Sequence, residues 1–336
     1  MISLPRLTRR AFLKTGLVAG AAAGTGALLG RLSRPEEKTE PVFIAKAASY
    51  EPALLRRAIA SGFSALGIDA SFVRGKTVLL KPNLVEPHRG QAHINTHPFV
   101  VRAAAEAFLA LGAAAVGVAE GSGHRRDTVF VLEESGLLEV LAEDRIPFVD
   151  LNEETPARVE NLGKVSRLKN LFLPEAVLRA DILVSLAKMK THHWAGVTLS
   201  MKNLFGVMPG TIYGWPKNVL HWAGIEECVY DIAATVRPQL AIVDGVVGME
   251  GDGPIMGRPL AAGVLVMGRN LPAVDATCAR VMGIDPWKIG YLRRAAGRLG
   301  TIGEQNIEQR GEAIASVRRD FLLLDHIPAQ RNLRLA

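Results

Sequence analysis

The sequence predicts an α/β fold with a mainly parallel sheet and helices on both faces of that sheet. Two observations support this prediction. Short, continuously apolar runs are typical of strands that are covered on both faces, and amphipathic segments of helical period alternate with those runs. With 336 residues, 49% of them hydrophobic, the chain can form either one domain or two closely packed lobes.

Seven apolar runs are the predicted strands, and the segments between several of them are predicted helices. The strands are expected at residues 42–46, 77–80, 115–119, 147–151, 182–186, 240–243 and 263–267. The helices are expected at residues 52–66, 98–111, 128–142, 225–236 and 273–282. The last two contain Cys228 and Cys278, which we expect to be buried.

The first 34 residues resemble a twin-arginine export signal, with TRRAFLK at 8–14 followed by an apolar stretch. We therefore expect a leader at 1–34, a linker at 35–41 and the α/β domain at 42–336, exported through the twin-arginine translocase to the periplasm. Membrane contact is expected only through the leader. Both a cleaved and a retained leader are compatible with the sequence.

The net charge of +7 lies mostly in this leader, which holds six of the 40 basic residues and no acidic one. The remainder is close to neutral, which argues against nucleic-acid binding. Two cysteines cannot supply the four thiolates of an ordinary iron–sulfur cluster, so none is expected in this chain.

Polar residues recur where the predicted strands end. In open parallel sheets the carboxyl ends of the strands form the ligand crevice, so these residues predict one polar site. They are Lys81, Asn83, Glu120, His124, Asp150, Lys188, Lys190, His192, Asp244, Glu250 and Asp252.

The segment 188–203 has the highest density of such residues, including Lys188, Lys190 and Lys202. Converging lysines can bind a carboxylate or a phosphate, and a desolvated lysine can act as a nucleophile. We expect substrate-binding roles for Lys81, Asn83, Glu120, Lys188, Lys190 and Asn203. The glycine-rich loop 248–254 carries Glu250 and Asp252, which could hold a hard cation such as Mg²⁺ together with Asp244, although a simple turn explains the loop equally well.

These motifs resemble the domain-of-unknown-function family numbered 362. The matching pieces are VLLKPNLV at 78–85, EGS at 120–122, KMKTH at 188–192, SMKNLFG at 200–206, VDG at 243–245 and the loop 248–254. They cover about residues 42–300 in the expected order. The function of that family is not established, and this chain lacks the ferredoxin-like cluster domain that many relatives carry.

A second segment is similar to the nickel-dependent lactate racemases. His192, the Ala195-Gly196 pair and Lys202 follow in the order and spacing of that family. Downstream, His221 follows in matching order, although three extra residues separate Lys202 from Pro209-Gly210, and upstream His124 lies in a similar loop after a strand. The resemblance implies that Lys202 attaches a nickel-pincer nucleotide, that His221 is a nickel ligand, and that His124 and His192 form an acid–base pair. A glycine pair of that family is replaced here by Leu199-Ser200.

We therefore expect an exported enzyme that acts on a small anionic substrate, carboxylate- or hydroxy-acid-like, with a metal or a metal-containing cofactor at the strand ends. One alternative is a magnesium-dependent enzyme for a phosphorylated compound, with Lys81, Lys188 and Lys190 on the phosphate and Asp244, Glu250 and Asp252 on the metal. Another is a non-catalytic periplasmic protein that binds a ligand or assists maturation.

Overall fold

A computed structural model describes residues 39–123 and 127–336 of the chain. The predicted leader and His124 lie outside these residues. The described residues belong to one compact unit. Its strands are β1 (Glu40–Lys46), β2 (Thr77–Pro82), β3 (Ala115–Glu120), β4 (Phe148–Asp150), β5 (Pro156–Glu160), β6 (Asn170–Pro174), β7 (Ile182–His192), β8 (Gly196–Thr198), β9 (Leu240–Glu250), β10 (Arg258–Leu260), β11 (Val264–Gly268) and β12 (Ile307–Gly311).

Ten of these strands form one sheet, whose main path runs β12-β1-β11-β9-β7-β2-β3-β4. The pairs from β9 through β7, β2 and β3 to β4 are all parallel, and on the main path only β11 runs against its neighbours. The short strands β8 and β10 add to β7 and β9, and β5 pairs with β6 separately. This confirms the α/β class with a mainly parallel sheet, built around one sheet rather than two lobes.

All seven predicted strands are present, and two of them are much longer than expected. Strands β7 and β9 each have eleven residues, so Lys190, His192 and Glu250 lie within strands instead of in the loops after them. The prediction ended these strands where the continuous apolar run ends. Polar side chains replace that run as the strands enter the region of the candidate site.

The helices are α1 (Pro52–Ala65), α2 (Ala70–Val73), α3 (Pro98–Ala110), α4 (Thr128–Glu134), α5 (Leu137–Glu143), α6 (Glu175–Arg179), α7 (Ser200–Asn203), α8 (Gly210–Tyr213), α9 (Asn218–Trp222), α10 (Ile225–Val236), α11 (Leu271–Val281), α12 (Gly290–Ala295) and α13 (Ile314–Val317). The single helix expected at 128–142 is two helices, because Gly136 between them adopts a left-handed φ of 73°. That conformation interrupts the helical hydrogen bonds and suits glycine.

Hydrophobic residues pack on both faces of the sheet. Along β7, Val184 and Leu186 belong to the core under α1, α3, α4 and α5, whereas Leu183 and Ala187 belong to the core under α7, α10, α11 and α12. Because successive side chains of a strand point to opposite faces, a strand covered on both sides must be apolar throughout. The two helical layers confirm the prediction of helices on both faces.

Both cysteines are buried, and neither is in a disulfide. Within residues 39–123 and 127–336, no helix combines the length and the apolar character needed to cross a bilayer.

Candidate functional site

A cavity of about 210 Å³ lies at the carboxyl ends of β2, β3 and β7. Three further segments complete its wall: residues 202–206, residues 216–221 and residues 254–255. The polar or aromatic side chains that line it are Lys81, Asn83, Glu120, Lys190, His192, His193, Trp194, Thr198, Lys202, Asn203, Phe205, Lys217 and His221.

A buried ion pair between Lys81 and Glu120 forms one side of the cavity. The Lys81 Nζ lies 2.6 Å from the Glu120 Oε2, and both side chains are almost fully buried. The backbone N–H groups of Leu84 and Gly121 also donate to the Glu120 carboxylate, at 3.2 and 2.9 Å. Burial lowers the pKa of Lys81 and raises that of Glu120, while their mutual attraction opposes both shifts. These donors stabilise the charged carboxylate at the end of β3.

Gly206 passes directly against this ion pair. A Cβ at that position would overlap the Glu120 Oε1 and would lie 2.6 Å from the Lys81 Nζ. A side chain cannot be accommodated there without displacing the pair. The glycine therefore permits the segment after α7 to approach the two strand ends.

Helix α7, which carries Lys202 and Asn203, is held by Asp275 of α11. The Asp275 carboxylate accepts hydrogen bonds from the Ser200 N–H at 2.8 Å and from the Met201 N–H at 3.0 Å. Burial raises the pKa of Asp275 to about 7. Because these bonds satisfy backbone donors at the start of α7, Asp275 positions the residues of α7 without lining the cavity.

Lys202 has no carboxylate partner among the described residues. Its Nζ lies 3.8 Å from the centroid of the Phe205 ring, a cation–π distance. Burial, and secondarily the charge of Lys81, lowers the pKa of Lys202 to about 7. A substantial fraction of the amine is therefore uncharged near neutral pH.

Two other cavity lysines are bonded to neutral oxygens. The Lys190 Nζ donates to the carbonyls of Ile94 and Pro254, at 2.8 and 3.2 Å, and burial lowers its pKa well below the usual value. The Lys217 Nζ donates to the Asn152 side chain and to the carbonyl of Met208. Burial lowers the pKa of Lys217 to about 8.

Hydrogen bonds assign the tautomers of two cavity histidines. The Nδ1 of His192 accepts from the backbone N–H groups of Trp194 and Ala195, at 3.0 and 3.2 Å. Burial and the charge of Lys202 lower the pKa of His192 well below 6.5, so the ring is neutral with its proton on Nε2. The Nδ1–H of His221 donates to the carbonyl of Lys217 at 3.0 Å, so Nε2 is the acceptor nitrogen when the ring is neutral.

The structure corrects the prediction for Lys188 and Asp244. These residues lie opposite each other on β7 and β9 and form a buried ion pair of 2.8 Å. Tyr50 also bonds to both side chains, and the backbone N–H of His97 donates to the Asp244 carboxylate at 3.0 Å. Neither Lys188 nor Asp244 lines the cavity, so Lys188 is not placed to bind a substrate there.

The predicted metal ligands do not form one site. Asp244 is paired with Lys188, and Glu250 accepts from the Arg258 side chain and the Leu322 N–H, each at 2.7 Å. The Asp252 carboxylate lies 3.6 Å from the His193 ring nitrogen, outside the cavity lining. No group of three His, Cys, Asp or Glu side chains in the described part of the chain is arranged to hold a metal ion.

The structure brings together eight of the predicted residues: Lys81, Asn83, Glu120, Lys190, His192, Lys202, Asn203 and His221. Sequence reasoning missed Thr198, Lys217 and Asp275. Asp275 left a recognisable signal, because it is an acidic residue within the otherwise apolar start of α11. Lys217 and Thr198 have no comparable signature in the sequence.

The chain matches a known family model. The profile of DUF362, a domain of unknown function, matches residues 78–280. A thylakoid-associated protein of Synechocystis sp. is 30% identical over 269 residues, which cover 77% of this chain and 79% of that protein.

Two solved structures are distantly similar. A protein from Thermotoga maritima is 12% identical with a TM-score of 0.39, over 70% of this chain and 59% of that one. The lactate racemase apoprotein from Thermoanaerobacterium thermosaccharolyticum is 15% identical with a TM-score of 0.42, over 74% of this chain and 58% of that one. The chain thus spans less than two thirds of the length of either structure.

Proposed function

This chain belongs to the DUF362 family, and we propose that it is an enzyme that binds a small anionic substrate in the cavity at the ends of β2, β3 and β7. One observation carries the proposal. The only carboxylate among the described lining residues is Glu120, which is paired with Lys81. Lys190, Lys202 and Lys217 line the same cavity without a carboxylate partner.

An anion would relieve the electrostatic cost of this arrangement. Burial lowers the pKa of Lys202 to about 7 and that of Lys217 to about 8, because a desolvated ammonium without a counter-ion is unfavourable. A bound carboxylate supplies the missing negative charge and raises both pKa values again. Ligand binding is therefore coupled to proton uptake at neutral pH.

The chemistry of the lining supports catalysis beyond binding. Lys202 offers an amine that makes no hydrogen bond to a described residue and has a pKa near the working pH, as a nucleophile or a general base requires. The Nε2–H of His192 is a neutral donor, and the Nε2 of His221 is an acceptor. The cavity thus combines the amine of Lys202, a hydrogen-bond donor on His192 and a hydrogen-bond acceptor on His221, all of which line the space that the anion would occupy.

Two residues have the chemical properties needed to hold the nickel-pincer nucleotide that the resemblance implies. Lys202 has the uncharged fraction that covalent attachment needs. His221 donates its Nδ1–H to a backbone carbonyl, as metal-ligating histidines commonly do, so its Nε2 would be the nitrogen that holds the metal. The group would supply hydride storage, while His192 would donate a hydrogen bond to the substrate. His124, the second predicted acid–base residue, lies outside the described residues.

The magnesium-dependent alternative has less support, because two of its three carboxylates, Asp244 and Glu250, are already paired with basic side chains. Its phosphate-binding Lys188 is also engaged outside the cavity.

The proposal is tested with the protein purified from its own host, by calorimetric titration at pH 6.5 with small carboxylates and with inorganic phosphate. We expect a carboxylate to bind and Lys202→Met to weaken that binding at least tenfold, whereas exposed Lys169→Met does not change it. Turnover is then followed by NMR as deuterium exchange from solvent into the bound acids. If no anion binds, or if Lys202→Met binds normally, the cavity is not the anion site. Binding without any turnover would mean that the protein binds its ligand and is not an enzyme for it.

A further inference from the structure

Two buried polar atoms of residues that line the cavity have no hydrogen-bond partner among the described residues. They are the side-chain oxygen Oδ1 of Asn83 and the hydroxyl Oγ1 of Thr198. Both side chains are more than nine-tenths buried. Burying an unsatisfied polar atom costs stability, and such atoms in a native fold call for an explanation. Their shared location at the cavity points to a ligand that supplies the missing partners.

The orientation of the Asn83 amide follows from a chain of hydrogen bonds that starts at Lys81. The ammonium of Lys81 can only donate, so the atom of Asn203 that it contacts at 2.8 Å is the oxygen Oδ1. The same oxygen lies 3.3 Å from Asn83, which must therefore direct its Nδ2–H₂ towards it. The Asn83 Oδ1 is consequently left as the acceptor without a donor.

A second set of hydrogen bonds determines the same orientation for the side-chain amide of Asn203. Its Nδ2 donates to the carbonyl of Lys81 and to the hydroxyl of Ser185, both at 3.1 Å. The Ser185 hydroxyl gives its own hydrogen to the carbonyl of Ser200 at 2.8 Å and so accepts from Asn203. Reversing either amide would place two acceptors against each other. The missing partner of Asn83 must therefore be a hydrogen-bond donor.

Thr198 lies beside the cavity lysines. It is paired with Lys190 across the antiparallel strands β7 and β8, and cross-strand partners have neighbouring side chains. Its hydroxyl can both donate and accept, so it can bond to the same ligand group as Asn83. The Thr198 hydroxyl therefore adds a second polar contact near Lys190.

The charge of the cavity limits what the donor on the ligand can be. Glu120, the single carboxylate among the described lining residues, is already paired with Lys81, and Lys190, Lys202 and Lys217 add basic side chains without a carboxylate partner. A ligand ammonium group would be repelled by these lysines and would find no carboxylate to neutralise it. An uncharged hydroxyl satisfies Asn83 without this penalty.

We infer that Asn83 is a specificity-determining residue that selects anions carrying a hydroxyl group, whose hydrogen the Asn83 Oδ1 accepts. This inference rests on the proposed function, since it assumes that the cavity binds an anion. The lysines bind the carboxylate, and Asn83, together with Thr198, binds the hydroxyl. Acids that lack the hydroxyl leave the Asn83 oxygen unpaired, and amino acids bring an unfavourable charge.

The test compares acids that share one carbon skeleton, by calorimetric titration of the full-length protein at pH 6.5. The probes are malate, succinate and aspartate, and glycolate, acetate and glycine. We expect each hydroxy acid to bind at least about tenfold more tightly than its unsubstituted partner, which corresponds to one good hydrogen bond. The amino acids bind no better than the unsubstituted acids. Equal affinities across each set in the wild-type protein would overturn the inference.

Two variants assign the preference to Asn83. Asn83→Leu removes the acceptor and brings the ratio of hydroxy to unsubstituted acid within about twofold, because the hydroxy acid loses more affinity than the unsubstituted acid. Asn83→Asp keeps an acceptor, so the ratio persists although both acids bind more weakly. Lys202→Met weakens both acids equally and preserves the ratio. If Asn83→Leu folds and keeps the ratio, Asn83 does not select the ligand.

The outcomes separate the two proposals. If no probe binds the wild-type protein, the proposed function fails. If probes bind and depend on Lys202 but show no preference for the hydroxyl, only the inference about Asn83 fails. Should Asn83→Leu not fold, the wild-type panel and Asn83→Asp still decide the question: a preference that vanishes in Asn83→Asp contradicts the acceptor role.

Discussion

Replacing Lys202 with methionine tests the electrostatic description of the cavity most directly. Methionine has a similar length and fills a similar volume, so the substitution removes the charge and leaves little empty space. Lys202 is positioned over Phe205 and forms no ion pair with a described residue, while burial lowers its pKa to about 7. The wild-type lysine therefore destabilises the ligand-free protein, and its removal should stabilise it.

The magnitude follows from the difference in pKa between the folded and unfolded chain. A drop from about 10.5 to about 7 corresponds to at most about 5 kcal/mol at 1.36 kcal/mol per pKa unit. Lys202 keeps some exposure to solvent, which screens the effect, so we expect a gain of about 2 kcal/mol for Lys202→Met at pH 7. Between these pKa values the unfolded chain binds more protons, so wild-type stability rises with pH across this window. The gain should be complete below pH 7 and nearly absent at about pH 10.5.

The assay is urea unfolding of the wild-type protein and Lys202→Met at several pH values, in chloride buffers without carboxylates or phosphates. The control Lys169→Met replaces an exposed lysine and should change the free energy of unfolding by less than about 0.5 kcal/mol at every pH. A loss of stability in Lys202→Met at pH 7, or a change that does not depend on pH, would refute the reasoning. Either result would mean that Lys202 has a stabilising partner in the ligand-free protein.

Four further predictions concern the pH dependence of binding, two substitutions beside the cavity and the predicted export signal. The affinity for carboxylates, measured by calorimetry, should fall as the pH rises from 6.5 to 8.5, because Lys202 loses its proton in this range. Asp275→Ala should lower the free energy of unfolding by about 3 kcal/mol, because it leaves buried N–H groups of α7 without acceptors, and should weaken anion binding. Gly206→Ala should cost more than about 2 kcal/mol in urea unfolding, whereas Gly123→Ala, where an added Cβ meets nothing within 4 Å, should be close to neutral. Replacing Arg9 and Arg10 by lysines should retain the precursor in the cytoplasm, as cell fractionation and immunoblotting would reveal; continued export would contradict the twin-arginine signal.

The layered fold could be predicted from the sequence because its main strands are apolar on both faces. A run such as residues 182–186 cannot alternate between buried and exposed positions when helices cover both sides, and this signal is local. Strands β5 and β12 were missed, because their side chains are mostly exposed or half-buried and form no continuous apolar run. The break at Gly136 was also missed, since apolar residues of helical period continue through it.

The candidate site could be predicted in part, because strand ends of a parallel sheet converge regardless of the details of packing. This rule brought together Lys81, Glu120 and His192. It could not predict that Lys190 lines the cavity while Lys188, two residues earlier on the same strand, does not. Their different surroundings depend on the pairing of β7 with β9, where the register shifts between Lys188 and Lys190. Such long-range register leaves no local pattern in the sequence.

The acidic side chains of β9 are paired with basic side chains and do not line the cavity. Lys188 lies opposite Asp244 and is neutralised outside the cavity, whereas Lys190 lies opposite Met249 after the shift and gains no carboxylate. Glu250, the next residue of β9, is instead paired with Arg258. The excess of positive charge therefore arises because each of these two acidic side chains has a basic partner outside the cavity lining, whereas Lys190 has none that is acidic. The proposed ligand anion would compensate for this excess, so the arrangement that lowers the stability of the empty protein would favour binding.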